Sequence, residues 1–178
     1  PGIVSAMNTI VLDSIRDQDS NKLRDQFALD VLMGLSSPDK FIPSRYFYDA
    51  EGSKLFEQIT DLGEYYPTEC ERQIIDKHKE ALAKVFGGQK FNLIELGAGD
   101  GRKTMVLLKD FVERGLNFNY IPIDISETAV LDFQNKLANE LPKLETWGVD
   151  GEYFDAIEYL GRECPPGPKV VFFLGSNL

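Results

Sequence analysis

The sequence predicts an α/β fold in which a parallel sheet carries helices on both faces. From Phe91 onward, short apolar runs alternate with helical patterns, and strand–helix–strand units of this spacing form parallel sheets with right-handed crossovers. The 178 residues, 43% of them hydrophobic, suffice to bury one core. We therefore expect a sheet domain over residues 91–178, preceded by a helical segment over residues 1–90.

The individual elements follow from periodicity and from capping residues. In the first segment, apolar spacing predicts helices over 19–34 and 53–62, and a third helix from an N-cap at Thr68 to about Phe86. In the second segment, Ser126 is the predicted N-cap of a helix that ends near Asn139. The remaining predicted elements are strands over 91–96, 119–124, 144–149 and 169–174, and helices over 102–113 and 153–160. Pro122 lies inside the second of these strands and removes one ladder donor.

Charge and composition exclude several classes of protein. A net charge of −10 without a Lys/Arg cluster argues against nucleic-acid or anionic-membrane partners. No apolar run approaches the roughly 20 residues that span a bilayer, and no secretory signal is visible, which predicts a cytoplasmic protein. Cys70 and Cys164 lie far apart and His78 sits in a polar stretch, so we expect neither a disulfide nor a metal site.

A glycine-rich turn follows the first strand of the sheet domain, at Glu95-Leu-Gly97-Ala-Gly99-Asp-Gly101. Glycines there let a ligand approach the backbone. A dinucleotide site would show G-x-G-x-x-G and no acid beside the pyrophosphate. The acid Glu95 instead favours a cationic ligand, the methionyl part of S-adenosylmethionine. A plain strand-to-helix turn is the alternative interpretation.

Two further strand ends strengthen the cofactor interpretation. Asp124 ends the next strand, where a carboxylate lies beside the glycine loop and accepts hydrogen bonds from ribose hydroxyls. Gly151-Glu152-Tyr153 follows the third strand, where an acid and an aromatic ring suit the adenine amino group and the adenine ring. An ordinary helix start explains Glu152 and Tyr153 equally well from spacing alone.

Five segments of the chain form a more specific set. They are Y-F-Y-D-A-E-G-S-K-L-F-E-Q-I-T at 46–60, E-Y-Y-P-T at 64–68, the glycine loop through Thr104, P-I-D-I-S at 122–126 and F-F-L-G-S at 172–176. Together they closely resemble the L-histidine Nα-methyltransferase family of ergothioneine biosynthesis, which depends on S-adenosylmethionine. The similarity extends from about residue 40 to the last residue.

The resemblance implies a class I methyltransferase, with a Rossmann-like sheet of which this chain holds the first four strands. It implies that the missing C-terminal half of the same protein, or a partner chain, completes the sheet, and that these residues alone are inactive. It implies an amino-acid substrate and identifies no catalytic residue. The cofactor contacts implied are Gly97, Gly99, Lys103 and Asp124, with Glu152 and Tyr153 at the adenine; the substrate contacts implied are Tyr48, Tyr65 and Gly175.

Several alternatives stay open. The acceptor of the methyl group is another amino acid or small amine, or the chain is a non-catalytic cofactor-binding or assembly module. A dehydrogenase is the weakest alternative, because the third glycine of G-x-G-x-x-G is missing from its usual place. From the residues alone, Tyr48 and Tyr65 also fit an aromatic cover that packs on the sheet.

Overall fold

The fold is built on one all-parallel sheet of five strands. The computed structural model describes residues 8–12, 20–47, 50–86 and 88–174. The strands are β1 Asn8–Val11, β2 Phe91–Leu96, β3 Phe118–Asp124, β4 Glu145–Asp150 and β5 Lys169–Phe172, in the spatial order β1-β4-β3-β2-β5. The helices are α1 Ser20–Ser36, α2 Ala50–Thr60, α3 Pro67–Val85, α4 Arg102–Glu113, α5 Glu127–Glu140 and α6 Tyr153–Glu163, with a short 3-10 helix at Ser44–Phe47.

The alternation of side chains along the inner strands creates two cores, one on each face of the sheet. Phe91, Leu93 and Tyr120 point to the face covered by α3, α4 and α5. Ile94 and Ile123 point to the opposite face, against α6. β2 is buried along its whole length, as parallel strands between two helical layers are, and its two polar residues, Asn92 and Glu95, form internal hydrogen bonds. The predicted α/β class with helices on both faces is confirmed.

The sheet has one strand more than the sequence analysis predicted. β1 pairs in parallel with β4, with Thr9 opposite Gly148 and Ile10 opposite Val149. The prediction of four strands after a purely helical lead-in was therefore wrong. β1 has four residues, too few for periodicity to distinguish a strand from a loop, and its partner lies far along the chain.

Helix ends agree with the predictions to within three residues, and the largest differences are the start of α2 at Ala50 instead of residue 53 and the end of α6 at Glu163 instead of residue 160. α4 spans the predicted residues, and Ser126 caps α5 by accepting a hydrogen bond from the Ala129 amide at 3.3 Å. α3 begins at Pro67 rather than after a Thr68 cap, with Tyr66 in the N-cap position. Proline occupies the first helical turn without cost because its missing N–H has no intrahelical acceptor there. No helix among the described residues combines the length and the apolarity needed to cross a bilayer.

The strand order locates a crevice where a ligand can bind. From β2 the chain moves outward to β3 and β4, and it then returns to place β5 on the other side of β2. In open parallel sheets, ligands bind outside the carboxyl ends of the strands at such a reversal. The glycine loop follows β2 directly and lies at this position.

Candidate cofactor site

The glycine loop has a backbone that only glycine adopts without strain. Gly97, Gly99 and Gly101 have φ angles of +71°, +53° and +67°, in the left-handed region that disfavours side chains. The amides of Gly97 and Ala98 both donate to the Ile123 carbonyl, at 2.8 and 3.1 Å. The loop is therefore fixed against the end of β3.

Asp124 joins this loop to the next one. Its carboxylate accepts hydrogen bonds from the Gly99 amide at 2.9 Å and from the Ser126 amide at 3.0 Å. Burial raises the pKa of the Asp124 carboxyl, and the surrounding backbone amides partly offset that shift. Since each carboxylate oxygen has a second lone pair, Asp124 retains acceptor capacity for a ligand. The structure places Asp124 beside the glycine loop, as expected.

The loop that follows β4 is hydrogen-bonded to Asp124 as well. The Gly151 amide donates to the Asp124 carbonyl at 3.0 Å. Glu152, which follows, is exposed at the N-cap of α6, and Tyr153 is half-buried with its ring edge-on to Phe173 at 5.7 Å between centroids. Three loops therefore meet at one edge of the sheet.

Glu95 does not face this edge. Its side chain is only 2% exposed and accepts hydrogen bonds from the hydroxyls of Thr104 and Tyr120. Burial raises the pKa of its carboxyl to about 7, although these two donors lower it. Both carboxylate oxygens of Glu95 are engaged beneath α4, and its expected favourable effect on a cationic ligand stays a prediction. This orientation follows from the sequence, because Glu95 alternates in phase with Phe91 and Leu93, which point under α4.

Lys103 and Arg102, at the start of α4, bind acidic residues of the helical lead-in. The Lys103 ammonium lies 2.7 Å from a Glu71 carboxylate oxygen, and the Arg102 guanidinium lies 2.6 Å from Asp61. The sequence analysis missed Asp61 and Glu71. No sequence signal identifies such pairs, since exposed acids and bases are common and their pairing depends on how the elements pack.

Of the predicted substrate contacts, the structure describes Tyr65. It lies in the turn between α2 and α3, half-buried, with its ring edge-on to Phe56 at 6.2 Å between centroids. Its amide donates to the Leu62 carbonyl at 3.0 Å. Tyr48 and Gly175 lie outside the described residues, so their predicted roles stay predictions.

Comparison with known proteins identifies the family. The family model described as "Histidine-specific methyltransferase, SAM-dependent" matches residues 27–178. The chain belongs to this family. The family resemblance inferred from the sequence is confirmed, and so is its S-adenosylmethionine dependence.

Three relatives illustrate the range of names in the family. The chain is 36% identical over 149 residues to the histidine N-alpha-methyltransferase of Mycolicibacterium smegmatis, and this alignment covers 84% of this chain and 45% of that protein. It is 35% identical over 162 residues to the ergothioneine biosynthesis protein 1 of Schizosaccharomyces pombe (85% and 21%). It is 31% identical over 170 residues to the L-tryptophan methyltransferase of Psilocybe serbica (83% and 48%). The chain thus spans less than half the length of each.

Proposed function

We propose that the protein containing this chain transfers a methyl group from S-adenosylmethionine to the α-amino group of L-histidine. The observation that carries the proposal is the junction of three strand-end loops around Asp124, at the reversal of the sheet, in a chain of this family. In this proposal residues 91–178 bind the cofactor, and residues 1–90 hold part of the acceptor site.

The residues at the junction fit this cofactor. A Cβ atom built on Gly99 would meet no atom within 4 Å, so the loop has open space on that side for a ligand. In the proposal Gly97 and Gly99 let the cofactor approach the backbone, and Asp124 accepts the ribose hydroxyls. Glu152 and Tyr153 hold the adenine, and the Lys103 ammonium meets an anionic group of the cofactor.

The proposed chemistry needs position more than acid–base strength. When bound, S-adenosylmethionine would supply a sulfonium methyl group for in-line transfer to a neutral amine nitrogen, the N–C bond forming as the C–S bond breaks and S-adenosylhomocysteine leaves. A free α-amino group has a pKa of about 7.7–8.0, so near neutral pH a useful fraction is already uncharged. The residues of this chain contribute by orienting the two reactants. Tyr65 offers a hydroxyl that can donate to one imidazole nitrogen or accept from the other.

Replacement of Asp124 tests the cofactor half of the proposal. Asp124→Ala is expected to weaken S-adenosylhomocysteine binding at least tenfold, because hydrogen bonds to a charged acceptor contribute about 1.5–3 kcal/mol each. It also deprives the Gly99 and Ser126 amides of their acceptor, so the melting temperature should fall. Isothermal titration calorimetry of the full-length protein measures the affinity. Asp132→Ala, at an exposed position on α5, is the control, and unchanged affinity in Asp124→Ala would remove Asp124 from the site.

Replacement of Tyr65 tests histidine as the acceptor. Tyr65→Phe keeps the ring against Phe56 and removes one hydroxyl, so histidine affinity should fall by about 1–2 kcal/mol while S-adenosylhomocysteine affinity is kept. Tyr48→Phe should behave in the same way. The matched control is Tyr66→Phe, because Tyr66 is adjacent and 70% exposed. Equal histidine affinity in Tyr65→Phe and Tyr66→Phe, measured by titration, would show that Tyr65 is not a substrate contact.

A second acceptor is favoured by one comparison. A relative named for L-tryptophan methylation matches this chain with coverage similar to that of the histidine enzymes. The aromatic pair of Phe56 and Tyr65 would accommodate an indole as well as an imidazole. Titrating both amino acids into the S-adenosylhomocysteine complex distinguishes the two acceptors, and the histidine proposal requires the tighter binding of histidine.

The edge of β5 supports a further proposal, that the C-terminal part of the same protein completes the sheet. β5 pairs with β2 on one side, and no strand among residues 8–12, 20–47, 50–86 and 88–174 covers its other edge. Val171 and Phe173 are 54% and 38% exposed. Such an edge is normally covered in a stable protein. A separate partner chain is the alternative source of the missing strands.

A further inference from the structure

Two ion pairs connect the start of α4 to the turn that carries Tyr65. Arg102 binds Asp61 at 2.6 Å, just after α2, and Lys103 binds Glu71 at 2.7 Å, in the first turns of α3. Tyr65 lies between these two acids in the sequence. The segment from Asp61 to Glu71 is therefore attached at both ends to the same short piece of α4.

That piece of α4 is continuous with the glycine loop. Arg102 follows Gly101 directly, its amide donates to the Asp100 carboxylate at 2.9 Å, and its guanidinium also contacts that carboxylate. The Arg102 guanidinium thus contacts both the Asp100 carboxylate of the glycine loop and the Asp61 carboxylate of the turn. The pairing with Asp61 is the largest cause that raises the pKa of Arg102.

The two attachments are not equivalent. α3 packs along α4 and buries Ile75 and Ala83, so its position has support besides the Lys103–Glu71 pair. In the turn before it, Leu62, Gly63 and Glu64 are all exposed. The Arg102–Asp61 pair therefore has the greater influence on the turn, and the Lys103–Glu71 pair, at 28% and 34% exposure, directs the Lys103 ammonium.

We propose that Asp61 and Glu71 are positioning residues for the acceptor, which hold the Tyr65 turn against the glycine loop through Arg102 and Lys103. This inference rests on the proposed function, because it takes Tyr65 as an acceptor contact. Ion pairs near the surface contribute little to global stability. We therefore expect these two pairs to act locally, by keeping the Tyr65 turn ordered. An ammonium has three donors, so Lys103 can keep Glu71 while it meets an anionic group.

The test is the double variant Asp61→Asn with Glu71→Gln in the full-length protein. We expect the histidine dissociation constant to rise about fivefold, as the loss of one exposed and one half-buried pair allows, with S-adenosylhomocysteine affinity within about twofold to threefold of the original. Hydrogen exchange of the Leu62 and Tyr65 amides, which donate to Ile59 and Leu62, should accelerate. Glu69→Gln is the matched control, since Glu69 is on the same helix and pairs with Arg72 within it.

A double-mutant cycle distinguishes pairing from a general charge effect. Arg102→Gln should reproduce the effect of Asp61→Asn, and the combined variant should be no worse than either alone. Additive effects, unchanged exchange, or unchanged histidine affinity in the double variant would each overturn the inference. If the unmodified protein does not bind histidine, the proposed function fails instead. The inference is then judged on the exchange rates, where equal rates in variant and control overturn it.

Discussion

Gly101→Ala is expected to lower the free energy of unfolding by about 3 kcal/mol. An alanine at φ +67° costs about 1–2 kcal/mol in backbone strain. Its Cβ would also lie 2.0 Å from two ring carbons of Phe133, which is 1% exposed and packs in the core against the Tyr120 ring. Overpacking of this kind costs about 1–3 kcal/mol. Urea unfolding followed by circular dichroism measures the sum.

Two other glycines distinguish the cost of backbone strain from the cost of overpacking. Gly115 has φ +73° and no atom within 4 Å of a built Cβ, so Gly115→Ala should show the backbone strain alone. Gly99 has φ +53° and the same open space, but it lies in the proposed site. Gly99→Ala should match Gly115→Ala in stability while losing at least tenfold in S-adenosylhomocysteine affinity, one factor of ten being about 1.4 kcal/mol. Equal stability of Gly101→Ala and Gly115→Ala would show that Phe133 imposes no limit, and normal binding by Gly99→Ala would leave the loop a simple turn.

Glu95 is expected to make the protein less stable as the pH rises from about 4.5 to about 7. The folded pKa of about 7 exceeds the ordinary value of 4.5, so between these values the folded chain keeps a proton that the unfolded chain has lost. The stability contributed by this group is fully present below pH 4.5 and is lost as the pH rises through the folded pKa. At 1.36 kcal/mol per pH unit the loss is about 3 kcal/mol.

Glu95→Gln isolates this effect from all other titrating groups. The amide keeps an oxygen acceptor for one hydroxyl and offers its NH₂ to the other, so the contacts with Thr104 and Tyr120 are retained. The difference in unfolding free energy between the original protein and the variant should shift by about 2–3 kcal/mol in favour of the variant between pH 5 and pH 8. Glu163→Gln makes the same change at an exposed position. A pH-independent difference for Glu95→Gln would mean that Glu95 is ionised throughout.

The parts of the fold that the sequence predicts are those specified by local signals. β2 is a buried apolar run ended by glycines, and α4 and α5 have clear starts. The position of Asp124 beside the loop follows because parallel strands end at the same edge of a sheet. The location of the cofactor half of the site can therefore be predicted from the sequence, although its ligand contacts stay predictions.

What the sequence does not predict depends on contacts between distant segments. The pairing of Glu71 with Lys103 follows from the packing of α3 on α4, and the pairing of Asp61 with Arg102 joins residues 41 positions apart in the sequence. The local sequence around each residue does not indicate which distant elements pack together. The predicted start of α3 was wrong for a different reason. Thr68 is a good N-cap in isolation, but Pro67 already occupies the first helical position.

The pairing of β1 with β4 has a consequence for the order of assembly. Asn8–Val11 precedes the other four strands in the chain, whereas β4 ends only at Asp150. During synthesis β1 is therefore made first and has to wait for the strand that it joins. Contacts between such distant residues form slowly, because the intervening chain must be brought together first. We expect β1 to add late, so that nascent chains spend an interval with the outer edge of β4 open to pairing with one another.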